Sequence, residues 1–218
     1  MIDLHTHTLF SDGELLPSEL VRRAQMKGCE AIALTDHVDS SNIDFVLPRI
    51  VKICKTLNKF WKIDVIPGVE ITHAPIEELK RLTKFARRNG AKIVVIHGET
   101  ISEPVIKGTN RRAIEAGCDI LSHPGFITLA DVRLAKKMNV YLEITTRQSH
   151  SRTNKHVLAL ARSAGARLVL NTDSHRPEDL ISDKQRINFL KRLGLSKAEI
   201  DVACSNSKSL VRQASAKK

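Results

Sequence analysis

Aromatic side chains are scarce, with one Trp, one Tyr and six Phe in 218 residues. A stacking platform for single-stranded nucleic acid needs several rings on one face, and none is visible. Cysteine is sparse too. Cys29, Cys54, Cys118 and Cys204 stand far apart and never form C-x-x-C, which excludes a disulfide scaffold and suits a reduced, cytoplasmic protein. No apolar run approaches the ~20 residues of a membrane-spanning helix. The start, Met1 to His7, has neither the basic nor the apolar region of a signal peptide. No membrane partner is therefore expected. Acidic residues are outnumbered, 24 against 35 Lys and Arg, for a net charge of +11. Such a balance favours anionic partners, whether phosphorylated metabolites, nucleic acid or an anionic surface. The basic pairs Arg22-Arg23, Arg87-Arg88, Arg111-Arg112 and Lys136-Lys137 are scattered over several helical stretches and read as solvated faces.

What is present is a repeated phrase. Gly28, Gly90, Gly117 and Gly165 each end a helical stretch and precede a short apolar strand, at 31–34, 93–96, 120–121 and 168–170. Gly after a helix suits the left-handed position that other residues avoid. Strands so wholly apolar suit a parallel sheet buried on both faces. Ile2–His5, Asp64–Val69 and Val140–Thr145 bring the expected strands to seven. Between them lie amphipathic stretches at 17–27, 44–59, 76–89, 103–116, 129–138 and 154–164, with Pro48 disturbing the second. Ser196 and Glu199 form a capping box for a last helix running towards Leu210, and residues 213–218 read as a frayed tail. Strict alternation predicts an α/β fold, a distorted (β/α)7 TIM-like barrel of parallel strands, with an open doubly wound sheet as the alternative. Residues 1–218 read as a single domain.

The polar residues fall where such a fold places its chemistry, at the carboxyl ends of the strands. In order these are His5, His7 and Asp12, then Asp36-His37, Glu70, His97, His123, and Asp173 with His175. Residues two apart in extended chain face the same way, so His5 and His7 can share one point, as can Asp173 and His175. Imidazole with carboxylate suits Zn²⁺, Mn²⁺ or Fe²⁺, and ten such side chains suffice for two or three ions. A lone His-x-His is usually incidental, and Asp-x-His alone can be a turn or helix cap. Unrelated histidines, however, have no reason to choose strand ends six times out of nine. His73, His150 and His156 lie off the pattern and are expected in solvent. Trp61 and Tyr141 are expected to pack.

The segments Asp3-Leu4-His5-Thr6-His7, Asp12-Gly13, Leu34-Thr35-Asp36-His37, Pro67-Gly68-Val69-Glu70, His97, Ser122-His123-Pro124 and Asn171-Thr172-Asp173-Ser174-His175 together resemble the polymerase and histidinol phosphatase (PHP) superfamily of metal-dependent phosphoesterases, especially its histidinol-phosphatase-like members. The resemblance implies a PHP-type distorted barrel with two to three divalent transition metal ions. It further implies His5, His7, Glu70 and Asp173 on a first ion, Asp12, His37 and His175 on a second, and Glu70, His97 and His123 on a third. Some members have His where this chain has Asp12, which makes the second site richer in oxygen here.

The expected activity is hydrolysis of a small phosphomonoester, with histidinol phosphate as the leading candidate. A water held between two ions loses its proton near neutral pH and attacks phosphorus in line. Arg147 and Arg176 lie beyond strand ends at the same face, where a guanidinium can grip phosphate bidentately. Glu143 lies on the sixth strand, either facing the same mouth or serving as a buried partner of a ligand. The alternative is a nucleic-acid-directed exonuclease or nucleotide phosphoesterase, because PHP domains also serve there. A non-catalytic RNA-binding barrel is a third reading, and the intact ligand set speaks against it.

Overall fold

In a computed structural model of the chain, residues 1–216 are described. Side chains on the strands alternate between two apolar environments, as parallel strands require when both faces are covered. The strands are β1 (Ile2–Asp3), β2 (Ala31–Leu34), β3 (His37–Val38), β4 (Asp64–Ile71), β5 (Ile93–His97), β6 (Ile120–Ser122), β7 (Tyr141–Thr145) and β8 (Leu168–Asn171). All pairings are parallel, in the order β1-β2-β4-β5-β6-β7-β8. β3 is the continuation of β2. Both pair with β4, β2 with Asp64–Pro67 and β3 with Glu70–Ile71, so the two make one interrupted stave and the stave count is the expected seven.

The barrel is nearly closed. β1 and β8 meet at the carboxyl end through a parallel bridge between Thr6 and Ser174, where the Asp173 amide donates to the His5 carbonyl at 3.0 Å. Lower down, side chains replace the missing ladder. The Leu4 amide donates to Asn171 Oδ1 at 2.9 Å, and the Thr172 amide to Asp3 Oδ1 at 3.2 Å.

The helices are α1 (Pro17–Met26), α2 (Ile43–Phe60), α3 (Leu79–Arg88), α4 (Thr109–Ala116), α5 (Leu129–Met138), α6 (Asn154–Ala164), α7 (Asp183–Leu193) and α8 (Lys197–Ala216). The first six cover the outer row of strand residues, which includes Ile32, Leu34, Val94, Ile96, Leu121 and Leu142. The inner row, Ile66, Ile93, Val95, Ile120, Tyr141 and Val169 among it, forms a separate core. Leu210, Val211 and Ala214 of α8 close that core at the floor of the barrel.

Several local expectations are corrected. Residues 213–216 are not frayed. They continue α8, and Ala214 is buried in the floor. The remaining two positions of the expected tail, 217 and 218, lie outside the described residues. α2 runs through Pro48, sacrificing one backbone bond that the buried Val46, Leu47 and Ile50 around it offset. α4 begins at Thr109 rather than at Glu103, because Gly108 takes a left-handed φ of 98° that interrupts the helix. α3 likewise starts at Leu79 instead of Ile76. α7, capped by a Ser182–Gln185 box, was not expected. Only Leu190 of α7 is fully buried, so its periodic signal is weak. Among the described residues, no helix is long and apolar enough to cross a membrane.

Candidate metal centre

The inner row of strand residues changes character one layer above the apolar core. On β5 the inward positions are Ile93, Val95 and then His97. On β7 Tyr141 is followed by Glu143, and on β4 Ile66 by Gly68 and Glu70. The alternation that buries hydrocarbon below therefore presents imidazole and carboxylate above. Here the structure brings the strand-end residues together. His7, Asp12, His37 and His175 form one group with ligand atoms within 4.8 Å of one another. His5, His7 and Asp173 form a second, and Glu70, His97 and His123 a third. His5 Nε2 lies 3.1 Å from His7 Nε2 and 3.3 Å from Glu70 Oε1, and His7 Nε2 lies 3.2 Å from Asp173 Oδ1. Asp12 Oδ1 sits 3.2 Å from His175 Nε2 and 3.5 Å from His37 Nε2.

Outward hydrogen bonds fix which nitrogen faces the centre. His5 Nδ1 is 2.9 Å from Glu143 Oε1, and His97 Nδ1 is 3.1 Å from the Gly98 carbonyl. Carboxylate and carbonyl only accept, so each Nδ1 carries a proton and each Nε2 is the nitrogen turned towards the centre. Glu143 is thus the buried partner of His5. Asn171 Nδ2 and the His123 amide also donate to it, at 2.8 and 3.2 Å.

The electrostatics are those of a dense, buried set of nitrogen and oxygen donors. Burial, reinforced by the neighbouring imidazoles, pushes His7 and His123 well below the usual histidine range, so both are neutral. Burial pushes the Asp173 carboxyl up to about 7. Burial opposes ionisation of Glu70 as well, yet the cations at His5 and His37 hold it well below the usual carboxylate range. Nδ1 of His7 and Nδ1 of His123 are buried without a hydrogen-bond partner among the described residues. Orphaned nitrogens in a cluster of nine nitrogen and oxygen donors fit divalent transition metal ions. Asp173 at φ 54° and His123 at φ 25° hold left-handed backbone that non-glycine residues avoid, a strain that clusters at functional sites.

Not every expected residue joins. Asp36 is even-numbered like the outward Ile32 and Leu34, and it turns away from the centre. It accepts from the Thr8 amide at 2.8 Å and the Ser11 hydroxyl at 2.8 Å, tying down the loop after β1. Arg147 contacts His175 Nδ1 at 2.9 Å and donates to the Asp173 carbonyl at 3.2 Å. It also lines a neighbouring cavity of about 710 Å³ bounded by α7. Arg176 is 67% exposed and pairs with Glu14 at 2.9 Å, outside the cluster.

Of the three histidines expected in solvent, His73 is exposed while His150 and His156 are not, and one acid was missed. His150 is buried, its ring stacked 4.2 Å from that of His123. His73, though exposed, is held at φ 50° with Nε2 3.1 Å from Glu103 Oε2. His156 is partly buried and donates to the Ile127 carbonyl at 2.8 Å, well away from the cluster. Glu103, read as part of a helix, instead lies in the loop after β5 against His97, with the His97 contact first among those that hold its carboxyl at about 2. Glu103, His73, His37, Asp12 and Thr72 line a mouth of about 440 Å³ above the centre.

A parallel barrel with a histidine–carboxylate centre at its carboxyl end defines a class of metal-binding hydrolases. Within that class the chain belongs to the PHP domain family, whose model matches residues 3–164. It is 47% identical over 195 residues to the uncharacterized protein MJ1295 of Methanocaldococcus jannaschii, covering 88% of each chain. The fold is shared with a chain of archaeal ribonuclease P solved with mature tRNA, at TM-score 0.75 and 18% identity over 99% of this chain and 92% of that one. It is shared too with histidinol phosphate phosphatase from Lactococcus lactis complexed with zinc, L-histidinol and phosphate. There the TM-score is 0.62 and the identity 18%, over 89% of this chain and 94% of that one.

Proposed function

We propose that the chain is a metal-dependent phosphoesterase acting on a small phosphomonoester, with histidinol phosphate the first substrate to try. The observation that carries this reading is the convergence of six imidazoles and three carboxylates at one end of the barrel. His5, His7, Glu70 and Asp173 would hold one ion, Asp12, His37 and His175 a second, and Glu70, His97 and His123 a third. Zn²⁺, Mn²⁺ and Fe²⁺ all suit this donor set. Such ions, when bound, lower the pKa of water and neutralise charge on phosphate oxygens.

The chain's own residues do the rest. Glu143 and the Gly98 carbonyl hold the protons of His5 and His97 on Nδ1, so that the inward nitrogens stay free to bind. Arg147 buttresses His175 on one side and faces the adjoining cavity on the other, where its guanidinium can hold an anionic group of the substrate. The mouth of about 440 Å³ suits a small ester better than a duplex.

The test is turnover by metal-loaded protein of histidinol phosphate, mononucleotides and a 5′-labelled oligonucleotide, side by side. Release of phosphate from a small monoester is expected. Degradation of the oligonucleotide alone would replace this reading with a nuclease.

A further inference from the structure

Three imidazoles surround one carboxylate at the rim of the centre. Glu103 Oε2 lies 3.2 Å from His97 Nε2 and 3.1 Å from His73 Nε2, while Oε1 lies 3.4 Å from His150 Nε2. None of Glu103, His73 and His150 is needed for the nine-ligand set, and none ends a strand. We infer that Glu103 is a further ligand of the ion held by Glu70, His97 and His123, and that His73 and His150 position its carboxylate. The inference rests on the metal reading above and adds a tenth ligand to it.

Three observations support it. The first is distance. Two ligands of one tetrahedral ion with bonds of ~2.0–2.1 Å lie roughly 3.3 Å apart. His97 Nε2 and Glu103 Oε2 are separated by 3.2 Å, much like His5 and Glu70 at 3.3 Å. The second is orientation. The Gly98 carbonyl, 3.1 Å from His97 Nδ1, fixes the ring so that Nε2 is the atom turned towards Glu103. An imidazole nitrogen and a carboxylate oxygen at that distance hold a cation between them, either a shared proton or a metal ion. When a divalent ion enters, any proton shared by the two leaves to solvent.

The third observation is preorganisation. Glu103 is carried on a loop of residues 98–108 that is pinned on both sides. Before it, Thr100 Oγ1 lies 2.7 Å from His150 Nδ1, and the Ser102 hydroxyl donates to the Ser149 carbonyl. After it, the amides of Gly108 and Asn110 both donate to Glu99 Oε1 at 2.9 Å. Pro104 restricts the Glu103 backbone further. Gly125 lets the next loop pack directly on this one, since a Cβ there would overlap the Glu99 carbonyl. A carboxylate used only as a solvated surface charge needs no such tethering. Residues that orient a ligand typically change metal affinity ~10–100-fold when removed, and a direct ligand should change it at least as much.

Zn²⁺ is the probe, with equivalents and affinities measured by elemental analysis and by competition with a chromogenic chelator. Wild type and Glu115→Gln, an exposed acid on α4 outside the centre, should take three equivalents. Glu103→Gln should keep two tight ions and bind the third at least tenfold more weakly, with an unchanged circular dichroism spectrum. Glu103→Asp retains the charge but withdraws it by one methylene, and should also weaken the third ion. Wild-type affinity for that ion in Glu103→Gln overturns the inference. So does wild-type affinity in Glu103→Asp, which would reduce Glu103 to a diffuse charge. A wild-type protein that takes one equivalent or none defeats the metal reading itself, and this inference with it.

Discussion

His5 Nδ1 and Glu143 Oε1 are 2.9 Å apart, both fully buried, and this contact sets the direction in which His5 offers its lone pair. Glu143 accepts from three donors with two oxygens. An amide in its place would turn an N–H₂ group towards at least one of them. Glu143→Gln should therefore weaken metal binding ~10–100-fold. It should also lower unfolding stability by about 1–3 kcal/mol, the cost of a buried donor left without an acceptor. Metal titration and urea denaturation of the same preparation check both.

Glu70 belongs to two of the proposed ion sites. Glu70→Gln keeps the shape and loses the charge, so it should release at least two ions and nearly all turnover while the apolar layers stay packed. His73→Ala is no control for it, because His73 touches Glu103. His156→Ala is the matched substitution, since His156 hydrogen-bonds to the Ile127 carbonyl and packs on Phe126, both outside the centre. Near-normal turnover by purified Glu70→Gln protein would rule out a bridging role.

The two arginines should separate cleanly. Arg147→Ala removes the contact with His175 and the Asp173 carbonyl, and should reduce kcat/KM by about tenfold or more, equivalent to ~1.4 kcal/mol of transition-state stabilisation. Arg176→Ala removes an exposed pair with Glu14, of a kind worth ~0–1 kcal/mol, and should leave kcat/KM within about twofold. Equal effects in steady-state kinetics would contradict the different placements of the two side chains.

Burial pushes the Asp3 carboxyl up to about 6 from 3.8. Its folded pKa lies above its unfolded one, so between about pH 4 and 6 the folded chain holds more protons. The Asp3 contribution to stability therefore falls as pH rises through that window, and is lowest above it. The shift corresponds to a penalty on the order of 3 kcal/mol at neutral pH. Asn can still accept from the Thr172 amide and can donate to the Thr172 hydroxyl. Asp3→Asn should thus gain stability relative to wild type on going from pH 4 to pH 8, measured by denaturant melts in chelator. A constant difference across that range would show that Asp3 does not titrate there.

The barrel and its centre are legible in the sequence for one physical reason. A strand buried on both faces reads as an unbroken apolar run, so a histidine or acid at its end stands out. The same rule fails at Asp36, where strand parity turns the side chain outward to Thr8 and Ser11. It is silent on Glu103 and His150, which reach the centre from loops after β5 and β7, and loop geometry has no period. Glu103 was further disguised by helix-like spacing, and Gly108 was the available sign that the helix starts later. The role of Arg147 depends on the closeness of β7 to β8, which spacing along the chain does not encode.

The floor of the barrel ties the two ends of the chain to each other. Ile2 and Leu4 share their apolar cluster with Leu210, Val211 and Ala214, some two hundred residues later. During synthesis the first strand emerges long before the helix that seals it. Until that helix arrives, the underside of the barrel is an open hydrocarbon well, and the nascent chain has to keep it from sticking to anything else. The histidine-rich end can be laid out stave by stave, but the vessel becomes watertight only with its last turns of helix.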